Sequence, residues 1–256
     1  LYNDMSNEKV TYLGRKKNNG TGTHFMWENR DIRYNVLRAV GYYKGKAVAE
    51  DILVLNGLEQ APHFGILYQD TKPLLKGEDG YNYLYRINCG GDDFTDSFGQ
   101  LWMQDNTNYS RSWAASFNEL NPYLASQRTT NDPIRGSRDW KLFQYFRFGR
   151  HQLEYNFPVA DGMYRIEFYF TEPWHGTGGS ASADCEGLRI FDVAVNDSVV
   201  LDDLDIWAES GHDGACKKVV YAIVKGGLLK IHFPEVKAGQ ALICLLYTSD
   251  AADDRI

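Results

Sequence analysis

Acidic side chains are the first residues to consider for chemistry. Hydrolysis of a glycosidic bond takes two carboxyl groups facing each other across the sugar, roughly 5–10 Å apart. Glu167, Glu172, Asp192 and Asp205 stand in or at the ends of strand-like stretches. A (β/α)8 barrel that would aim such a pair takes about 250 residues of its own, and nothing in this chain reads as one. Glu172 and Asp192 therefore read as solvated groups or as acids that tie loops by hydrogen bonds. Asp92, Asp93 and Asp96 point towards calcium, but the central Gly and closing Glu of an EF-hand loop are not at their positions. A structural calcium held by sandwich loops is the most they suggest. The histidines, His24, His63, His151, His175, His212 and His232, show no H-E-x-x-H spacing, and no G-x-S-x-G, P-loop or dinucleotide fingerprint occurs. The glycines between Gly176 and Gly179 open no helix, so they make a loop and not a phosphate cradle. No catalytic residue and no metal ligand is assigned.

Aromatic recognition remains. Sugars present C–H faces that stack on aromatic rings, while their hydroxyls hydrogen-bond to polar side chains in a largely pre-formed pocket. Trp174 and His175 stand immediately before a Gly/Ser/Thr/Ala loop that runs to Ala183. A tryptophan at a sheet rim beside such a loop suits stacking on a flat apolar ligand face.

The elements that must position Trp174 are strands. In Tyr164–Thr171 the residues Tyr164, Ile166, Phe168 and Phe170 alternate with Arg165, Glu167, Tyr169 and Thr171, the period of a strand with one buried and one wet face. Phe191, Val193 and Val195 alternate next, Asn196-Asp197 supplies a turn, and apolar residues resume at Val199, so a β-hairpin is expected. A second hairpin is expected at Lys225–Gly227. A long irregular stretch, 106–138, carries Tyr109, Trp113, Phe117 and Tyr123; loops of this length in compact domains are usually functional or mobile. With 24 Gly against 7 Pro and 43% hydrophobic residues, the composition suits a turn-rich all-β chain with an ample core. A net charge of −7 lacks the basic footprint of a nucleic-acid binder. No apolar run approaches the roughly 20 residues of a membrane span.

The runs Y-R-I-E-F-Y-F-T-E-P-W from Tyr164, R-I-F-D-V-A-V-N from Arg189 and L-D-I from Leu204 resemble the malectin family, a carbohydrate-binding β-sandwich. Two upstream segments, Ile87–Trp102 and Asp139–Gly149, resemble the same family's opening segments in the same order. The resemblance implies a jelly-roll, galactose-binding-like sandwich over 81–243 and an oligosaccharide or polysaccharide ligand held by loop aromatics and a late acid. Carried over by position, these are Phe148, Trp174, His175 and Glu235, with either Tyr109 or Trp113 from the long loop. Phe148 lacks the hydroxyl a Tyr would offer and His175 replaces a carbocycle, so the resemblance does not carry over the glucose-oligomer specificity of animal malectins. Residues 1–59, with the hairpin K-G-K-x-V-A-x-D from Lys44, resemble the small immunoglobulin-like sandwich that follows the barrel in bacterial family-two (β-galactosidase-like) glycoside hydrolases, truncated here. Residues 60–80 read as a linker.

The expected whole is a periplasmic or extracellular, non-catalytic carbohydrate-binding end of such an enzyme, its catalytic barrel missing from this chain. A structural buttress without a sugar site is the competing expectation. Trp174 separates the two: exposed at a cleft it binds, packed on Phe143 or Phe146 it braces. Cys185 and Cys216 flank core strands and are candidates to pair. The tail Cys244–Ile256 breaks the alternation of a closing strand and resembles a translated sequencing-adapter tail, so it is expected to lie outside the fold.

Overall fold

The computed structural model describes residues 1–68, 71–105, 115–116, 125–150, 153–176 and 184–251. In chain order the strands are β1 (Val36–Tyr43), β2 (Lys46–Val54), β3 (Tyr81–Asn88), β4 (Phe94–Thr95), β5 (Leu101–Gln104), β6 (Ala115–Ser116), β7 (Ala125–Thr129), β8 (Tyr145–Gly149) and β9 (Glu154–Pro158). They continue with β10 (Gly162–Phe170), β11 (Ile190–Val195), β12 (Ser198–Leu204), β13 (Cys216–Val224), β14 (Leu228–His232), β15 (Val236–Ala238), β16 (Ala241–Ile243) and β17 (Leu245–Ala251). One short helix, α1 (Ile206–Ser210), is capped by Asp205, whose side chain accepts from the Ala208 N–H.

Two sheets face each other. One runs β13-β10-β17-β3-β5-β4 and the other β12-β11-β14-β9-β6. The inner rows are apolar because strand residues two apart share a face. Ile87, Leu246, Ile166 and Phe168 come from the first sheet; Phe191, Val193, Leu229, Ile231 and Phe157 come from the second, all fully buried. Phe170 meets Phe191 edge-on with ring centroids 6.1 Å apart. The β11–β12 hairpin forms at Asn196-Asp197 as its alternation predicts, Asn196 taking φ 51°. Lys225–Gly227 makes no hairpin: β13 pairs with β10 and β14 with β9 and β11, so this turn carries the chain across the sandwich.

The face of β10 expected to be wet is covered. Arg165, Glu167 and Tyr169 are buried. The segment 71–78, read as linker, straps over them: Tyr169 Oη donates to the Leu74 carbonyl at 3.3 Å, and Arg165 Nη2 lies 2.7 Å from Glu78 Oε1. Lys217 Nζ pairs with Glu167 at 2.7 Å. Beside these charges Trp102, Tyr169, Tyr247 and Leu75 form a second, aromatic layer. Charge on one face of a strand therefore marks an ion-pair network under a strap, not contact with water.

The tail is the clearest correction. Residues 245–251 are the strand between β10 and β3, with Leu246 opposite both Phe168 and Ile87. Cys244 to Ser249 are buried. A central strand buried on both faces shows no apolar/polar alternation, and its polar residues break the pattern further. Thr248 Oγ1 sits at 0% exposure and finds no hydrogen-bond partner among the described residues.

The N-terminal unit is one antiparallel hairpin, β1–β2, turning through Lys44 and Gly45 at φ 49° and 80°. Bridges tie Tyr2 to Arg38 and Tyr12, and Tyr34 to Glu59. Ahead of this hairpin, Lys9–Thr11 is a 3-10 turn and 25–27 are irregular. Val10 at 87% exposure has no second layer to enter. Tyr68 stacks on Trp140 at 6.1 Å, docking the segment after the hairpin on the sandwich. All four cysteines, Cys185 and Cys216 included, are buried and unpaired. No helix among the described residues is long and apolar enough to cross a membrane.

Candidate functional site

Strands β7, β8 and β16 form a third small sheet. Register puts Arg128 opposite Phe146, and Leu242 opposite Phe148. These side chains share one face. Across from that face stands the turn after β10, Pro173-Trp174-His175, with Arg189 at the entry to β11. Together with Arg150, Gly239 and Gln240 they enclose a cleft of about 600 Å³, within the usual range for small-ligand pockets. Phe146 and Leu242 form its buried floor, Phe148 is half-buried, and Trp174 stands 73% exposed.

A buried acid sets the attitude of the Trp174 turn. Glu172 is completely buried, and its Oε1 accepts from the N–H groups of Trp174 at 2.9 Å and His175 at 3.0 Å. Its charge is met by Arg189, whose Nη2 lies 3.2 Å from the same oxygen and whose Nη1 donates to the Gln240 carbonyl at 2.6 Å. Burial pushes the Glu172 carboxyl up, but the Arg189 hydrogen bond and charge and the two backbone donors outweigh it and hold it below its ordinary value. One residue therefore ties the turn, the start of β11 and the approach to β16 into a single frame. Glu172 ties the loop by hydrogen bonds, as its sequence reading allowed.

The opposite wall is braced from behind. On β8, Arg147 points away from the cleft and donates from Nη2 to Asp105 Oδ1 at 2.8 Å; Tyr155 Oη and the Gly90 N–H donate to the same carboxylate at 2.9 and 3.0 Å. At the rim Gly239 takes φ 62°, where a Cβ would come 2.9 Å from the Leu188 carbonyl oxygen, so only glycine fits without a shift.

Of the residues expected at the site, Phe148, Trp174 and His175 line this cleft. Glu235 does not: it is exposed between β14 and β15, and its backbone carbonyl accepts from the Asp192 N–H at 2.9 Å. Tyr109 and Trp113 lie outside the described residues. Arg128, Arg150, Arg189 and Gln240 escaped the sequence reading, since a lone polar residue on a strand end carries no pattern; only Arg189, opening R-I-F-D-V, stood within a quoted motif. Asp96 accepts from the Phe98 and Gln100 N–H groups and from Trp102 Nε1, and Asp93 accepts from the Gln104 N–H.

Among the described residues, two groups place ligand atoms close enough for a cation. Asp132, His212 and Asp213 are one; Asp192, Asp202 and Asp203 are the other. His212 Nε2 lies 2.9 Å from Asp213 Oδ2, and Asp203 pairs with Lys237. The first group borders a second cleft of about 610 Å³ at the seam between the N-terminal hairpin and the sandwich, lined by Glu50, Asp51, Arg135 and Trp207 among others. Its charges are mixed and its aromatic side chains among the described residues are Trp207 and His212, against Phe146, Phe148, Trp174 and His175 in the first cleft, so the first cleft is better suited to stacking.

Comparison with known proteins bears on the same residues. The profile of the Malectin domain matches residues 83–252. Malectin of Danio rerio is 26% identical over 150 residues, 58% of this chain and 47% of that protein; malectin of Homo sapiens is 24% identical over 149 residues, 58% of this chain and 45% of that protein. The chain spans about half the length of the curated relatives it matches. Among solved structures, a β-glucuronidase of Bacteroides uniformis aligns with 84% of this chain and 22% of its own, at 24% identity and TM-score 0.54. The ANX2 ectodomain from Arabidopsis thaliana aligns with 67% of this chain and 50% of its own, at 14% identity and TM-score 0.51. At these identities the structural likeness concerns the fold.

Proposed function

Because the chain belongs to the malectin domain family, we propose that it binds saccharide in the cleft between Trp174 and Phe148 and performs no hydrolysis itself. The observation that carries this reading is the 73% exposed Trp174 ring on a turn held by Glu172. An exposed indole costs solvation that a bracing residue would not incur, and a fixed turn spares a ligand the cost of ordering it. The absence of any Asp or Glu among the described cleft-lining residues supports a binding role, since hydrolysis needs a facing carboxyl pair.

We place the chain at the non-catalytic end of a bacterial glycoside hydrolase resembling family two, where it holds the enzyme on a glycan outside the cytoplasm. Supporting this is the alignment with the Bacteroides uniformis β-glucuronidase, which covers 84% of the chain and so reaches past the family match into the N-terminal unit. In this reading the hairpin β1–β2 belongs to an immunoglobulin-like domain, and a barrel outside this sequence carries catalysis.

Calorimetric titration of the whole chain with galacto-, gluco- and uronic-acid oligosaccharides tests the proposal. Saturable binding is expected, weakened at least tenfold, about 1.4 kcal/mol, by Trp174→Ala with the fold intact by circular dichroism. Heat from no sugar would replace the proposal with the buttress. Turnover of a chromogenic galactoside or glucuronide by the purified chain would overturn its non-catalytic part.

A further inference from the structure

We infer that the cleft selects an anionic saccharide, bearing a uronate carboxylate or a sulfate ester, over a neutral one. This rests on the saccharide-binding reading above. The chain carries a net charge of −7, yet the cleft lining contributes Arg128, Arg150 and Arg189 and, among the described residues, no acid. A cationic cleft on an acidic chain runs against the average of the molecule.

The three guanidiniums do not count equally. Arg189 is buried, and Glu172 cancels its charge. Arg150 is exposed and turns Nε and Nη2 onto the Gly239 carbonyl at 3.2 and 3.0 Å. That acceptor is neutral, so it fixes the plane of the guanidinium at the rim and leaves its charge in place. Arg128 is exposed on β7 directly opposite Phe146. Neither Arg128 nor Arg150 has a carboxylate within ion-pair distance among the described residues. Two uncancelled charges therefore flank an apolar floor of Phe146, Phe148 and Leu242, with the Trp174 ring across from it.

The donor balance points the same way. A neutral pyranose offers many hydroxyl donors, and sites that read them supply carboxylate or amide acceptors; here, among the described residues, the acceptor side chains of the lining are those of Thr129, Thr130, Gln240 and His175. A guanidinium offers only donors, in a planar fork that matches the paired oxygens of a carboxylate or sulfate. It also stays charged throughout the working pH range. Stacking on Trp174 would hold the ring face while the rim arginines take the anionic substituent.

The test titrates the full chain with oligogalacturonate, a sulfated galacto-oligosaccharide and a neutral galacto-oligosaccharide of equal length, at low and at roughly physiological ionic strength. At least one acidic ligand is expected to bind ten-fold or more tightly than the neutral one, with an advantage that shrinks as salt rises. Which acidic ligand binds tells carboxylate from sulfate. The pair Arg128→Gln with Arg150→Gln is expected to bring the acidic ligand's affinity down to that of the neutral ligand. Equal affinity for all three ligands, lost in Trp174→Ala, overturns the charge selection and keeps saccharide binding. No binding of any of them overturns both.

Discussion

At the scale of single residues, the Trp174 turn depends on a side chain that does not line the cleft. Glu172 faces inward, and what it fixes is the backbone two and three residues ahead. Replacing it by Gln keeps the shape but strands Arg189, buried with its charge uncancelled, which costs about 3–5 kcal/mol. Urea denaturation of Glu172→Gln measures that loss, and the double change with Arg189→Met should recover a large part of it. The pH dependence has a definite sign. The folded pKa of Glu172 lies below its ordinary value of 4.5, so the stability this pair supplies is complete above that value and is lost as pH falls through the folded one. A melting-temperature profile from pH 6 to 3 should fall less steeply in the double variant. The exposed place of Trp174 at the cleft was legible in the sequence because an indole next to a Gly/Ser loop is an uncommon juxtaposition. Glu172 was legible only as one acid among several, because its partner Arg189 is distant in sequence and no spacing rule connects them.

At the scale of elements, the strands that alternate were readable and those that do not were missed. β10, β11 and β12 emerge from a period of two. β17 does not, because it is covered on both faces, and its Thr248, Ser249 and Asp250 look like a polar tail. The strap at 71–78 also escaped, since a segment that satisfies its polar groups on another element's side chains has the composition of a linker. Two consequences can be measured. Ending the chain after Ile243 removes the strand that pairs with both β10 and β3, so the truncated chain should show no cooperative thermal transition. Thr248→Val replaces a buried, unpartnered hydroxyl with a methyl group, and should stabilise the chain by about 1–2 kcal/mol in denaturant titration.

At the scale of the whole molecule, the sandwich and its likeness to the malectin family could be read from motifs in order along the chain. How the N-terminal hairpin meets the sandwich could not, because that seam is made of residues remote in sequence. His212 lies there, facing Asp213 and Asp132 while Arg135 Nη2 donates to its backbone carbonyl. Burial pushes its pKa down, but the Asp213 hydrogen bond and charge, aided by Asp132, carry it above the ordinary 6.5. Its contribution to stability is therefore complete below that value and lost as pH rises through the folded pKa. The melting temperature of the chain should decline from pH 6.5 towards 8, and His212→Gln should flatten that decline.

The position of β17 also sets the order of events in folding. Leu245 pairs with Asn88 across 157 positions of sequence (245 − 88), and every strand preceding it has been synthesised before it is available. Until it inserts, β3 and β10 each present an open hydrogen-bonding edge flanked by apolar side chains, and the sheet β13-β10-β17-β3-β5-β4 stays split in two. Long-range pairing of this kind slows folding, and an open apolar edge invites association with other chains. During that interval the protein is most exposed to aggregation, and its yield in refolding should depend on concentration more steeply than its equilibrium stability would suggest.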